Sequence, residues 1–180
     1  MNSKRLMTIG LATFAVLLLP SAKAQTEPDK AFLKQASQSD YDEIRLSTLA
    51  AGKTSNPAVN AFANKMITDH TKLEQQMKPF ANRWGLGPVK HLDAVHQVIY
   101  EKLNGLTGDA FDKAYIRAMD KDHHQALAAF QAELQTTNLP EFKQAVAQGE
   151  KVIEQHTQMA DQLDRQLGMT PVGSTKNPPA

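Results

Sequence analysis

The stretch Pro57–Trp84, "PAVNAFANKMITDHTKLEQQMKPFANRW", decides the fold. Its residues Val59, Ala63, Met66, His70, Leu73, Met77, Phe80 and Trp84 recur at steps of 4, 3, 4, 3, 4, 3 and 4. That spacing draws one seam along an α-helix. Asn56 before it is a good N-cap. Pro57 suits the first helical position, where a missing N–H costs nothing. "GLGP" after Trp84 is a stop signal.

Three other long segments carry seams of the same kind. The first runs from about Asp29, a plausible N-cap, to Ala51 and lines up Leu33, Ala36, Asp40, Glu43, Ser47 and Ala50. The third runs from near Asp109 to about Thr137, with Ile116, Met119, His123, Ala126 and Phe130. The fourth starts at "NLPEF" and ends at Leu167-Gly168, with Phe142, Val146, Gly149, Ile153, His156, Ala160, Leu163 and Leu167. A shorter amphipathic segment, His91–Leu103, lies between the second and third. No segment alternates with period two, so no sheet is expected. Helices with one apolar face and short links pack as an antiparallel four-helix bundle. The expected fold is therefore all-α, with one short extra helix between the second and third long ones.

Both ends fall outside that bundle. Lys4 and Arg5 precede an apolar run of 14 residues, Leu6–Leu19, and "AKA" at residues 22–24 fits a small-x-small cleavage rule. Residues 1–24 read as a secretory signal peptide cut before Gln25. The run is shorter than the ~20 apolar residues of a membrane span, so no stable span is expected and the product belongs in the periplasm or outside the cell. Residues 25–168 form the bundle domain. Residues 169–180, "MTPVGSTKNPPA", with three prolines, read as a disordered tail.

Composition narrows the function. The chain has 20 basic and 19 acidic residues, and losing Lys4, Arg5 and Lys23 leaves a net charge of −2. There is no basic footprint for nucleic acid. With no cysteine, no disulfide staples the fold and no cysteine nucleophile exists. There is no Gly-x-Ser-x-Gly elbow and no phosphate loop, so no hydrolase or nucleotide enzyme is indicated.

The polar residues on the seams carry the chemistry. "MITDH" (66–70) and "MDKDH" (119–123) repeat a Met-x-x-Asp-His pattern 53 residues apart. His70, His123 and His156 each sit on the seam of a different helix, and Asp40 and Glu43 do so on the first. All lie within about three positions, roughly 5 Å of rise, of their helix centres. In register, they converge at mid-bundle. Buried imidazoles and carboxylates need partners. Either they satisfy one another in a structural network without metal, or they hold a transition metal. Imidazole nitrogen with carboxylate oxygen suits iron, zinc, manganese or copper. The candidate metal residues are Glu43, His70, His123 and His156, with Asp69 and Asp122 beside them. Neighbours on a helix point about 100° apart, so each aspartate either accepts an N–H from a histidine on another helix or is solvated. Met66 and Met119 read as core filler, Phe80 and Trp84 as the closed end of the core, and His91, His96 and His124 as surface.

The segments "FLKQASQSDYDEIRLSTLAAGKTSNPAVNAFANKMITDHTKLEQQM", "AFDKAYIRAMDKDHHQALAAF" and "EQHTQMADQL" resemble domain-of-unknown-function family 4142. That family comprises secreted bacterial proteins, often labelled predicted outer membrane proteins, grouped with ferritin-like bundles. The resemblance covers about Ala31–Leu167 and implies a ferritin-like four-helix fold. It brings no established activity. Its matching positions are Glu43, Asp69, His70, Asp122, His123 and His156. The chain departs from di-iron ferritins, whose Glu-x-x-His pairs put both ligands on one face; its acid–histidine pairs are adjacent. Gln155 stands where a third acid would precede His156. The functional expectation is metal handling or stress protection in the cell envelope, the alternative being a non-catalytic envelope protein with a metal-free histidine core.

Overall fold

The computed structural model describes residues 24–173. The expected leader, apart from Ala24, and the expected tail from residue 174 onward lie outside the described residues. Among the described residues there are five helices and no strand: α1 (Glu27–Lys53), α2 (Pro57–Arg83), α3 (Ala94–Asn104), α4 (Gly108–Thr136) and α5 (Pro140–Gln166). The chain is an all-α bundle of four long helices, with α3 as the short extra one. None of these helices is long and apolar enough to cross a membrane.

The helix ends follow local chemistry. Asn56 caps α2 by accepting from the Ala58 and Val59 amides, with Pro57 at the first position. At α1 the cap is Thr26, not Asp29. Thr26 and Asp29 form a reciprocal capping box, so Asp29 is the third helical residue and satisfies the cap's own N–H. Gly85 (φ 70°) and Gly168 (φ 72°) end α2 and α5 in the left-handed region. There Leu86 N–H donates to the Ala81 carbonyl (2.9 Å) and Met169 N–H to the Asp164 carbonyl (2.7 Å), the Schellman closure that glycine permits.

The three-residue links 54–56 and 137–139 make α1–α2 and α4–α5 antiparallel hairpins. The hairpins join through α1 against α4 and α2 against α5, and α3 lies across α1 and α4. Most seam residues named from spacing are buried: Leu33, Ala50, Val59, Ala63, Met66, Ile116, Met119, Phe142, Val146 and Ala160 are fully enclosed, while Phe80, Ala126 and Leu167 are half-buried.

The core is divided along its length. One apolar cluster holds Leu46, Phe62, Met66, Phe111, Tyr115, Ile116 and Met119. The other holds Phe32, Leu33, Leu73, Met77, Trp84, Phe130, Phe142 and Ile153. Each helix passes from one to the other through the level of Glu43, His70, His123 and His156.

Gly149 marks the tightest crossing of α5 and α4. A Cβ there would stand 2.5 Å from Phe130 Cε1, and the Phe130 ring is held edge-on by Phe32 at 4.9 Å. Gly149→Ala gains helix propensity of about 1 kcal/mol but overpacks a core at a typical cost of about 1–3 kcal/mol. The expected net result is a lower melting temperature, restored in part by Phe130→Leu. A Gly149→Ala variant that melts higher than the parent would show that the ring gives way freely.

Candidate metal centre

Each imidazole at mid-bundle has one nitrogen tied down and the other turned inward. His70 is held from α1: its Nδ1 lies 2.8 Å from Asp40 Oδ1. His123 Nδ1 donates to its own helix, at 2.8 Å from the Met119 carbonyl. His156 Nε2 lies 3.1 Å from Asp69 Oδ2. The rings meet at centroid separations of 5.6, 5.2 and 5.4 Å. One ring nitrogen from each lies within 4.8 Å of the other two. Glu43 enters from α1, with Oε2 2.6 Å from His70 Nε2 and 3.6 Å from His123 Nε2. Its other oxygen takes the Ser39 hydroxyl at 3.3 Å.

Four atoms at this centre have no hydrogen-bond partner: Glu43 Oε2, His70 Nε2, His123 Nε2 and His156 Nδ1. Glu43 Oε2 and His70 Nε2 nonetheless stand 2.6 Å apart as a buried ion pair. All four residues are buried to 1 % exposure or less. Unsatisfied polar atoms in a dry core cost free energy, and here they face one another.

Electrostatics separates the three histidines. Burial alone would depress His70, but the Glu43 charge and the Asp40 hydrogen bond override it and push its pKa up to about 10. His70 is thus an imidazolium between two carboxylates. Burial lowers His123. Burial, with the His70 and His123 charges, lowers His156 to about 4. Glu43 is resisted by burial, yet the surrounding histidines draw its pKa down to about 2. The three rings therefore differ in charge: His123 and His156 are held neutral, and His70 is charged because it receives both Asp40 and Glu43.

Asp69 stands beside the centre as an acceptor for a histidine on another helix. It also pairs with Lys65 at 2.7 Å, and its pKa falls to about 2, since Lys65 and His156 outweigh burial. Asp122 is not brought to the centre. Its Oδ2 points the other way, to His96 Nε2 on α3 at 3.3 Å. The surface reading of His96 is corrected: its side chain is 14 % exposed and sits among three carboxylates, with Asp93 at 2.8 Å and Asp42 at 3.2 Å. Burial is outweighed by Asp122, Asp42 and Asp93, which raise its pKa to about 11. The signal available in sequence was Asp93 three residues ahead of His96, an N-cap spacing; Asp93 does accept the His96 amide at 2.8 Å. His124 is likewise paired, with Asp161 at 3.1 Å and Asp120 at 3.3 Å. His91 is exposed as expected.

A cleft of about 960 Å³ opens between α1, the 86–96 segment and α4, and reaches the layer at Asp40 and His70. Glu43, His123 and His156 do not line it. Asp40 and His70 are thus the members of the layer that stand nearest this cleft.

Fold and site together define a class: a helical bundle with a buried histidine–carboxylate layer at its middle. The chain belongs to the domain of unknown function family DUF4142, whose profile matches residues 17–163. No curated protein matches it. Two solved structures share the fold. A DUF305 fragment from Deinococcus radiodurans is 17 % identical at a TM-score of 0.68, covering 79 % of this chain and 97 % of that one. A DUF305 protein of Streptomyces coelicolor, assigned as secreted, is 14 % identical at a TM-score of 0.69, covering 83 % and 98 %.

Proposed function

We propose that this protein binds a transition metal at mid-bundle, through His70 Nε2, His123 Nε2, His156 Nδ1 and Glu43 Oε2, and acts in metal handling or stress protection in the periplasm or outside the cell. The four inward atoms without partners carry this reading. Each ring's other nitrogen is engaged by Asp40, the Met119 carbonyl or Asp69. That is the supporting arrangement that fixes tautomer and orientation in histidine metal sites. Three imidazoles and one carboxylate suit iron, zinc, manganese or copper. Asp69 supports His156 without ligating, and Asp122 has no part in the set. The apolar run before residue 24 and the secreted assignment of the Streptomyces relative support the compartment.

A second reading rests on His70. Its charge is already met by Asp40 at 2.8 Å and Glu43 at 2.6 Å, which makes a self-sufficient structural network without metal. Elemental analysis of protein purified without chelator or histidine tag, with melting curves, separates the two. Metal binding predicts about one equivalent of a transition metal. It also predicts a melting shift of roughly 5–15 °C on adding metal at 100 to 1,000 times Kd, about 2.7–4.1 kcal/mol. Less than a tenth of an equivalent and no shift with zinc, iron, manganese or copper would leave the structural network standing.

A further inference from the structure

Besides the central layer, two clusters of acids and histidine lie on the outer faces of the described bundle, and they differ in one respect. Around His96 every buried polar atom has a partner. The Asp42 oxygens take the Gln38 amide at 2.9 and 3.1 Å and the Asp93 amide at 3.2 Å, and the imidazolium sits among Asp42, Asp93 and Asp122. That cluster is a closed clamp holding α3.

The cluster between α4 and α5 is not closed. Asp120 and Asp164 are fully buried, yet Asp120 Oδ1, Asp164 Oδ1 and Asp164 Oδ2 make no hydrogen bond. Asp120 Oδ1, His124 Nε2 and Asp161 Oδ1 face one another, with the imidazole 3.3 and 3.1 Å from the two carboxylates. The only guanidinium present, Arg117, is 2.7 Å from Asp164 Oδ2 and 3.5 Å from Asp120 Oδ2. Three carboxyl groups face one guanidinium in a site whose floor excludes water, and burial beside Asp120 holds the Asp164 pKa up at about 7. His124 and Asp161, 28 % and 26 % exposed, form its open side.

Chain beyond α5 closes over this cluster. Val172 N–H donates to Asp120 Oδ2 at 2.7 Å, and Arg117 donates to the Thr170 carbonyl. Gly173 runs so near the His124 ring that a Cβ would stand 2.5 Å from Cε1. The tail expected to begin at residue 169 is therefore laid along α4 as far as Gly173.

We propose that Asp120, His124 and Asp161 form a second cation site, distinct from the central layer, for a hard divalent ion of the Mn²⁺ class, with Asp164 behind them, and that the bound ion fastens Met169–Gly173 to α4. Carboxylate-rich donors with one imidazole favour Mn²⁺, whereas the imidazole-rich centre favours the later metals. The ion supplies the positive charge that Arg117 alone does not. This inference does not rest on metal binding at the centre.

Mn²⁺ titration of the ¹⁵N-labelled chain from Gln25 onward, followed by amide NMR, tests it. Paramagnetic broadening is expected first at Asp161, Val172 and Gly173. Asp161→Asn, at a partly exposed position that spares the fold, should weaken that response about tenfold or more, and leave any response near His70 and His156 as it was. Asp161→Asn/His124→Gln should abolish it, with a dispersed spectrum showing that the bundle persists. Broadening confined to the central residues, broadening at exposed acids alone, or a response unchanged by Asp161→Asn would each overturn the proposal.

Discussion

His70→Ala is expected to be the most damaging single truncation at the centre, even without metal. It removes the imidazolium that lies between Asp40 and Glu43, both buried. Breaking a buried ion pair by deleting one partner costs about 3–5 kcal/mol, because the remaining charge is left without compensation. For a chain of this size that is a fall in Tm of roughly 10 °C. His123→Ala removes a neutral ring whose Nδ1 serves only its own helix, so its cost is the ordinary 0.5–3 kcal/mol of a core truncation, in approximate terms. The two variants part in metal-free melting and agree in metal content, which both should lose. Equal metal-free melts would mean that His70 carries no paired charge. Glu43→Gln placed on His70→Ala should return part of the loss, since it removes one of the two stranded carboxylates.

The second large effect is a loss of stability above pH 6.5 in the metal-free protein. His156 has a folded pKa of about 4 against an unfolded value near 6.5. The unfolded chain takes its proton first, so stability falls as pH drops from 6.5 towards 4, and His123 acts in the same direction. His70 at about 10 and His96 at about 11 are raised instead. Their contribution is complete below 6.5 and is lost as pH climbs towards 10 and 11. Glu133, raised to about 7 by burial and Asp29, and Asp164, raised to about 7 by burial and Asp120, lose theirs as pH rises from the ordinary carboxyl range towards 7, and so offset the gain of His156 and His123 below 6.5. Each such group contributes a slope of up to about 1.4 kcal/mol per pH unit. Urea unfolding with chelator at pH 5, 6.5 and 9 should show pH 9 as the lowest, with little change between 5 and 6.5. Excess zinc should flatten the alkaline limb, because metal takes the place of the His70 proton. A steady rise in metal-free stability from pH 6.5 to 9 would contradict the charged His70.

The bundle and the level of its histidines were legible in sequence for a simple reason. Steps of three and four on α2 persist through His70, and a seam position on a helix with one apolar face can only point inward. Asp40 and Glu43 obeyed the same logic on α1. What escaped depends on helix rotation and on segments distant in sequence. Asp122 was readable as a neighbour of His123 but not as a partner of His96, because α3 had first to fold across α1 and α4. The partners of His96 come from α1, from its own cap and from α4. The unequal charges of three histidines at one level were hidden too: they follow from which ring receives Asp40 and Glu43. The ordered stretch Met169–Gly173 carries no periodicity, and its placement comes from single hydrogen bonds to Asp120 and Arg117.

The division of the core into two apolar clusters has a consequence for how the helices find one another. Either cluster alone, built of aliphatic and aromatic side chains on repeating seams, would tolerate a helix displaced by one turn, about 5.4 Å. The layer between them would not. A slipped α2 would push His70 among Leu46, Ile116 and Met119 or among Leu33 and Ile153, and would leave Asp40 and Glu43 facing hydrocarbon, at several kcal/mol. The layer works as an alignment key, admitting one longitudinal setting of four otherwise interchangeable rods.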